Sequence, residues 1–204
     1  PKPFMTFEIV PVIIYSMQAF QNHPLIDGIC VVCLKGWEVV LQAYANQFNI
    51  TKFKWIFEGG DSNQHSIRNG LWGLRDAGCD ENDIILVHDG VRPLVSERII
   101  SENIEKCQKY GYAITGMICK EAIMQKVDDC VKNIDIPRER LVRTQTPHTY
   151  PLHTLLKAHE EADSKGIDGT VASCTLMAEL GIEDQHLVMG SEKNAVMLTK
   201  TDDV

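Results

Sequence analysis

An unbroken apolar run, Ile84-Ile85-Leu86-Val87, stops at His88-Asp89-Gly90 and is followed by Val91-Arg92-Pro93. A β-branched run of strand length without polar alternation predicts a strand buried on both faces, the habit of parallel strands lying between helices. Strand-like segments also stand at 28–34, 53–57, 112–119 and 185–189. Helix-period segments fall between and around them, at 10–20, 36–48, from Ser66 onward with Ile67, Leu71 and Leu74 on one face, and at 96–110, 151–165 and 170–180. Such alternation predicts a doubly wound α/β fold. In open α/β sheets the ligand crevice lies at the carboxyl ends of the strands, which is where Asp89 and Arg92 fall.

One stretch breaks the alternation. From 121 to 145 short polar–apolar segments turn at Asp128-Asp129 and pass through Pro137-Arg138-Glu139-Arg140. A β-hairpin arm outside the core sheet, bounded at about 118–142, is expected there, with Gln145-Thr146-Pro147 leading into the next helix. The 204 residues suit one domain. A net charge of −8 argues against a nucleic-acid surface but allows a locally positive pocket for a small anion. No apolar run reaches the ~18 residues of a membrane span and no basic-then-apolar leader is seen, so a cytoplasmic protein is expected. The seven scattered cysteines then read as reduced thiols. Cys30 and Cys33 form a CxxC, but inside a strand and with no second pair to complete a zinc site.

Taken singly, the polar motifs each have two readings. Gly59-Gly60-Asp61 ahead of Ser66 can be a plain turn, or a nest of backbone N–H groups backed by a helix dipole. Asp89 can cap a turn or hold a divalent cation. Arg92 can face phosphate or pair with a neighbouring carboxylate.

Their order carries more. Pro1-Lys2-Pro3-Phe4, Gly59-Gly60-Asp61 with Ser66-Ile67-Arg68-Asn69-Gly70-Leu71, Val87-His88-Asp89-Gly90-Val91-Arg92-Pro93 and Gln145-Thr146-Pro147 stand in sequence along the chain. Together they resemble the cytidylyltransferases that activate sugar-alcohol phosphates with CTP, the 2-C-methyl-D-erythritol 4-phosphate and ribitol-5-phosphate cytidylyltransferases. Asn194 with Thr199 and Asp202-Asp203 fits less closely. The resemblance implies a Rossmann-like three-layer nucleotidyltransferase fold with an inserted arm, and a homodimer joined through that arm. It implies Mg²⁺, CTP and a polyol phosphate, with pyrophosphate released. By the same resemblance Lys2 contacts the α-phosphate. Gly60, Asp61 and Ser66 recognise cytosine. Asp89 lies beside the ribose and the Mg²⁺-bound phosphates, small Gly90 packs against the nucleotide, and Arg92 orients their loop. Arg138, counted with Lys2 among the catalytic groups, reaches the acceptor bound to the partner subunit. No histidine is needed as a base, and His88 is expected to be packed or hydrogen-bonded.

Departures cluster on the acceptor side. The family's Asp-Thr in the first arm strand aligns with Glu121-Ala122, an acidic residue is replaced by Ala172, and Met197 takes the place of a late lysine. The resemblance further implies a strand and a Gly-rich loop ahead of Pro1, so the natural protein is expected to carry residues before it. Methylerythritol phosphate of isoprenoid synthesis is taken as the acceptor. Ribitol 5-phosphate for surface glycans is the alternative, which the acceptor-side departures favour. A catalytically weak nucleotide-binding dimer is the non-enzymatic reading. A Rossmann dehydrogenase fits the alternation but lacks G-x-G-x-x-G.

Overall fold

The computed structural model describes residues 2–7 and 9–198. Thr199, Asp202 and Asp203 lie outside them. After a 3₁₀ turn at Lys2–Phe4 come β1 (Thr6–Phe7), β2 (Val10–Pro11), α1 (Val12–Gln21), β3 (Ile29–Cys33), α2 (Glu38–Gln47), β4 (Phe53–Glu58) and α3 (Asn63–Asp76). Then follow β5 (Ile84–Val87), α4 (Glu97–Tyr110), β6 (Ala113–Ile118), β7 (Met124–Val127), β8 (Cys130–Asn133) and a 3₁₀ turn at Arg138–Arg140. The chain continues with β9 (Val142–Pro151), α5 (Leu152–Lys165), α6 (Ser173–Glu179), β10 (His186–Met189) and α7 (Glu192–Ala195).

Three layers result. A mixed sheet in the order β10-β6-β9-β5 and a parallel pair β3-β4 form the middle. Helices α1, α2 and α4 meet β3 and β5 through a core of Ile13, Ile14, Met17, Ile29, Leu41, Ile99 and Ile100. On the other face α3, α5 and α6 bury Leu71, Leu155, Leu156 and Met177 around Tyr150 and Ile114. Ser96 caps α4, its side chain accepting from the Ile99 N–H at 3.4 Å, as a hydroxyl in the N-cap position should. Glycine lets α3 sit close to the strands: a Cβ on Gly70 would lie 2.6 Å from Val32.

Two expectations change. The strand at 84–87 does not lie between parallel neighbours. It pairs antiparallel with β9, and its four residues are only half-buried. The reason is β9 itself, which the proline at 147 hid by suggesting a turn. Gln145-Thr146-Pro147 is the middle of a ten-residue central strand with six consecutive buried residues, Gln145 to Tyr150. Pro147, preceded by a cis peptide bond, sits where the ladder with β6 shifts register between Ile114 and Gly116, the kind of irregularity that tolerates a missing N–H. Thr115 Oγ1 donates to the Pro147 carbonyl at 2.8 Å and accepts from Asn103 of α4, also at 2.8 Å. Ile118 pairs with Val142, the last rung before the chain leaves the sheet. The excursion between them carries the β7–β8 hairpin, whose strands, among the described residues, pair only with each other. No described helix is long and apolar enough to cross a membrane.

Candidate active site

The ends of β3 and β4 are tied to each other, and the loop after β5 is held by α1. The Gly59 N–H donates to the Cys33 carbonyl at 2.7 Å, joining the ends of β3 and β4. Gly60 then passes against α3 so closely that a Cβ would stand 2.5 Å from that of His65 and 2.9 Å from its carbonyl carbon. Only glycine fits there without movement. The helix is capped by Ser62, not started at Ser66. Ser66, one turn in, accepts from the Gly60 N–H at 3.1 Å and donates to the Ser62 carbonyl at 2.9 Å. The Gly60 N–H therefore points into the loop's own clasp, and the nest reading has one donor fewer than expected. Asp61 at the tip is exposed.

The turn carrying Lys2 is anchored from both sides. Phe4 packs on Trp37, just beyond β3, with ring centroids 4.5 Å apart. The Met5 carbonyl accepts from Val12 N–H at 2.8 Å, leading into α1. Lys2 itself stays exposed. From α1, Ser16 donates to the Gly90 carbonyl at 2.9 Å, so one helix links the lysine turn to the loop after β5. At Gly90 a Cβ would meet only Ile13, at 3.6 Å, an ordinary contact. The protein by itself would accept alanine there.

Asp89 and Arg92 form the best-organised part. Arg92, 9% exposed, donates Nε to Asp89 Oδ2 at 2.8 Å and Nη1 to the carbonyls of Asn194 and Ala195 at 3.0 and 3.1 Å. Of the two sequence readings, pairing with a carboxylate is the one found. Asp89 keeps 34% of its side chain exposed, and Oδ1 has no protein partner among the described residues. Its backbone N–H donates to Thr146 Oγ1 at 3.1 Å. Beside it, burial lowers His88 and His148 to about 4, so both rings are neutral at pH 7. His88 is hydrogen-bonded, as expected of a packed histidine.

Sequence reading missed α7. Asn194, fully buried, donates to Gln145 Oε1 at 2.8 Å and to the Thr146 carbonyl at 3.0 Å. At the other end of this single turn Glu192 pairs with Lys120 at 3.2 Å. Thus α7 joins the Asp89–Arg92 loop to a second, exposed group at the arm's root. There Arg143 grips Glu121, and Arg138 Nη1 donates to the Lys120 carbonyl at 3.2 Å. The Glu121 carboxyl lies below the ordinary carboxylate range, chiefly through its own backbone N–H and further through Arg143. Ala122 and Arg138 line an open cleft of about 580 Å³ with Ile123, Asn133 and Ile136. Arg143 carried no motif signal; β9 had to be placed before it could be assigned. Among the described residues no three His, Cys, Asp or Glu side chains gather as a metal cage. The Cys30 thiol is pushed up to about 12 by burial, as an inert core cysteine should be.

The whole chain, residues 1–204, matches the family model described as 2-C-methyl-D-erythritol 4-phosphate cytidylyltransferase. The chain belongs to this family. It is a cytidylyltransferase, and so a nucleotidyltransferase. A ribitol-5-phosphate cytidylyltransferase of Lacticaseibacillus paracasei is 41% identical, with 100% of this chain and 87% of the relative covered. One from Vibrio parahaemolyticus is 35% identical, covering 99% and 84%. A 2-C-methyl-D-erythritol 4-phosphate cytidylyltransferase of Clostridium acetobutylicum is 33% identical, covering 98% and 85%. The solved 4-diphosphocytidyl-2C-methyl-D-erythritol synthase of Anaerococcus prevotii superposes with a TM-score of 0.85 at 20% identity, covering 100% of this chain and 86% of that one. That likeness fixes the fold. Against it, the cytidylyltransferase's Lys2, Gly60, Ser66 and Asp89 stand around the ends of β3, β4 and β5, whereas Glu121, Ala122 and Arg138 stand apart at the arm. Met197, in place of the late lysine, is exposed just beyond α7.

Proposed function

We propose that this cytidylyltransferase transfers CMP from CTP to ribitol 5-phosphate, or a closely similar polyol phosphate, and releases pyrophosphate. The observation that carries this is the 41% identity along the whole chain to a ribitol-5-phosphate cytidylyltransferase. It reverses the order of acceptors expected from the sequence, where methylerythritol phosphate stood first. The Glu121–Arg143 pair supports the reversal, because the position that differs from the family pattern is bound into the arm's root. A phosphate oxygen of the acceptor attacks the α-phosphorus of CTP, and the bond to pyrophosphate breaks. The attacking phosphate is already ionised at neutral pH, so no strong base is needed. Lys2 neutralises charge growing on the α-phosphate. Ser66 and Gly60 hold the loop that reads cytosine. Asp89 offers its free oxygen to Mg²⁺, which needs few protein ligands when phosphates and water supply the rest; when bound, the ion neutralises and gathers the two polyanions.

The same reading takes the enzyme to be a cytoplasmic homodimer. An isolated two-stranded hairpin is marginal in water, yet this one projects with Met124 49% and Val131 65% exposed, and Ile136 just beyond it is 51% exposed. A second copy covering the arm accounts for both facts and brings Arg138 to the partner's acceptor. The test is pyrophosphate release from CTP and Mg²⁺ with ribitol 5-phosphate and, separately, 2-C-methyl-D-erythritol 4-phosphate. A kcat/KM at least ~tenfold higher for ribitol 5-phosphate, about 1.4 kcal/mol of discrimination, is expected. Preference for the other acceptor would overturn the substrate assignment.

A further inference from the structure

His88 ends β5 with its ring edge-on to Phe20, centroids 5.1 Å apart. Both of its nitrogens are engaged: Nε2 lies 3.0 Å from the Arg92 carbonyl and Nδ1 lies 3.0 Å from Thr146 Oγ1. A carbonyl oxygen can only accept, so Nε2 carries a proton. In the neutral ring Nδ1 is then an acceptor, and the Thr146 hydroxyl must donate to it. That leaves the hydroxyl's lone pairs for the Asp89 N–H, 3.1 Å away. Each donor and acceptor in this relay is set by its neighbour. The relay also begins and ends on one loop, since Asp89 and Arg92 are joined again by Arg92 N–H to the Asp89 carbonyl at 2.9 Å and by their side chains.

We infer that His88 is a positioning residue: it clasps the far end of the loop through Arg92 and ties the near end to β9 through Thr146, aiming the Asp89 carboxylate. The inference rests on the reading that Asp89 meets the metal–nucleotide. Packing alone does not account for the residue, because phenylalanine would fill the space beside Phe20 equally well. Phenylalanine would leave both the Arg92 carbonyl and the Thr146 hydroxyl without the partner that the imidazole supplies.

Two measurements test it. In the ligand-free protein, ¹⁵N NMR at pH 7 should find the His88 ring as the neutral Nε2–H tautomer, and Thr146→Val should shift the Asp89 amide. An Nδ1–H tautomer, or an unmoved Asp89 amide, overturns the relay whatever the activity. In kinetics, His88→Phe should raise the half-saturating Mg²⁺ concentration ~tenfold, the worth of about one hydrogen bond, with the acceptor KM unchanged. His88→Gln keeps a donor near Nε2 and His88→Asn an acceptor near Nδ1, so each should recover part of the loss. The His88→Phe/Thr146→Val double variant should be no worse than the poorer single, because the two act in one chain. Additive losses, or an unchanged Mg²⁺ requirement in a His88→Phe protein of wild-type melting temperature, overturn the proposal. Wild-type protein that releases no pyrophosphate with any acceptor overturns the reading of the site instead, and the NMR result still decides the relay.

Discussion

Lys2 combines a fixed backbone with an exposed cationic tip, because Phe4 is held on Trp37 while the lysine side chain is left in solvent. In the proposed reaction Lys2 meets the charge that grows on the α-phosphate, an interaction stronger in the transition state than in the bound ground state. Lys2→Ala should lower kcat by ~10²-fold or more while CTP affinity stays within about tenfold; equal losses in both would make Lys2 a binding residue only. Ser66 works differently. Its hydroxyl holds the Gly60 N–H, and removing it leaves that donor without a partner. Ser66→Ala should raise the KM for CTP about tenfold, with little change in kcat, the size of one lost hydrogen bond to a half-buried group. Arg92 is the structural counterpart of these: bonded to Asp89 and to two carbonyls of α7, it should cost about 3 kcal/mol on truncation to alanine.

Among the elements, α7 has four residues and joins two sites. Its anchor is Asn194, which is fully buried and reaches both Gln145 and Thr146 on β9. Asn194→Ala should therefore destabilise by about 2 kcal/mol, seen as a Tm fall of roughly 4–8 °C. The KM values for CTP and for the acceptor should rise together, because α7 touches both groups. The arm makes the opposite prediction. Val131→Glu on exposed β8 leaves the fold of the monomer untouched but should shift the protein towards monomer in sedimentation, with the acceptor KM rising. A dimer that persists with an unchanged KM would remove the arm from the interface. The two elements differed in how legible they were in the sequence. The hairpin announced itself through Asp128-Asp129, whereas the four residues of α7, three polar and one alanine, carry no period from which a helix could be read.

For the molecule as a whole, acid is the relevant stress. Burial holds His88, His148 and His159 at about 4, below the ordinary histidine value of roughly 6.5. The unfolded chain therefore binds more protons between those pH values, and stability falls as pH drops from about 6.5 to about 4. His159 has no partner on either nitrogen among the described residues. His159→Leu should remove up to about 1.4 kcal/mol per pH unit from that slope without loss at pH 7, as thermal melts across the range would show. The sequence by itself determined what local pattern can determine. Strand–helix alternation gave the α/β layers and the ordered polar motifs gave the family, because each motif and each period depends on residues close together in the chain. Only the tertiary structure decided the neighbour of β5, the clasp of Ser66 on Gly60, the bridge through α7 and the pairing of Glu121 with Arg143. The clasp of Ser66 on Gly60 spans only six residues and needs α3 folded back on its own leading turn; the other contacts join residues far apart in sequence, and their geometry exists only once β9 runs antiparallel through the middle of the sheet. Pro147 concealed that strand, since its missing N–H signals a break locally while the register shift beside it removes the need for one.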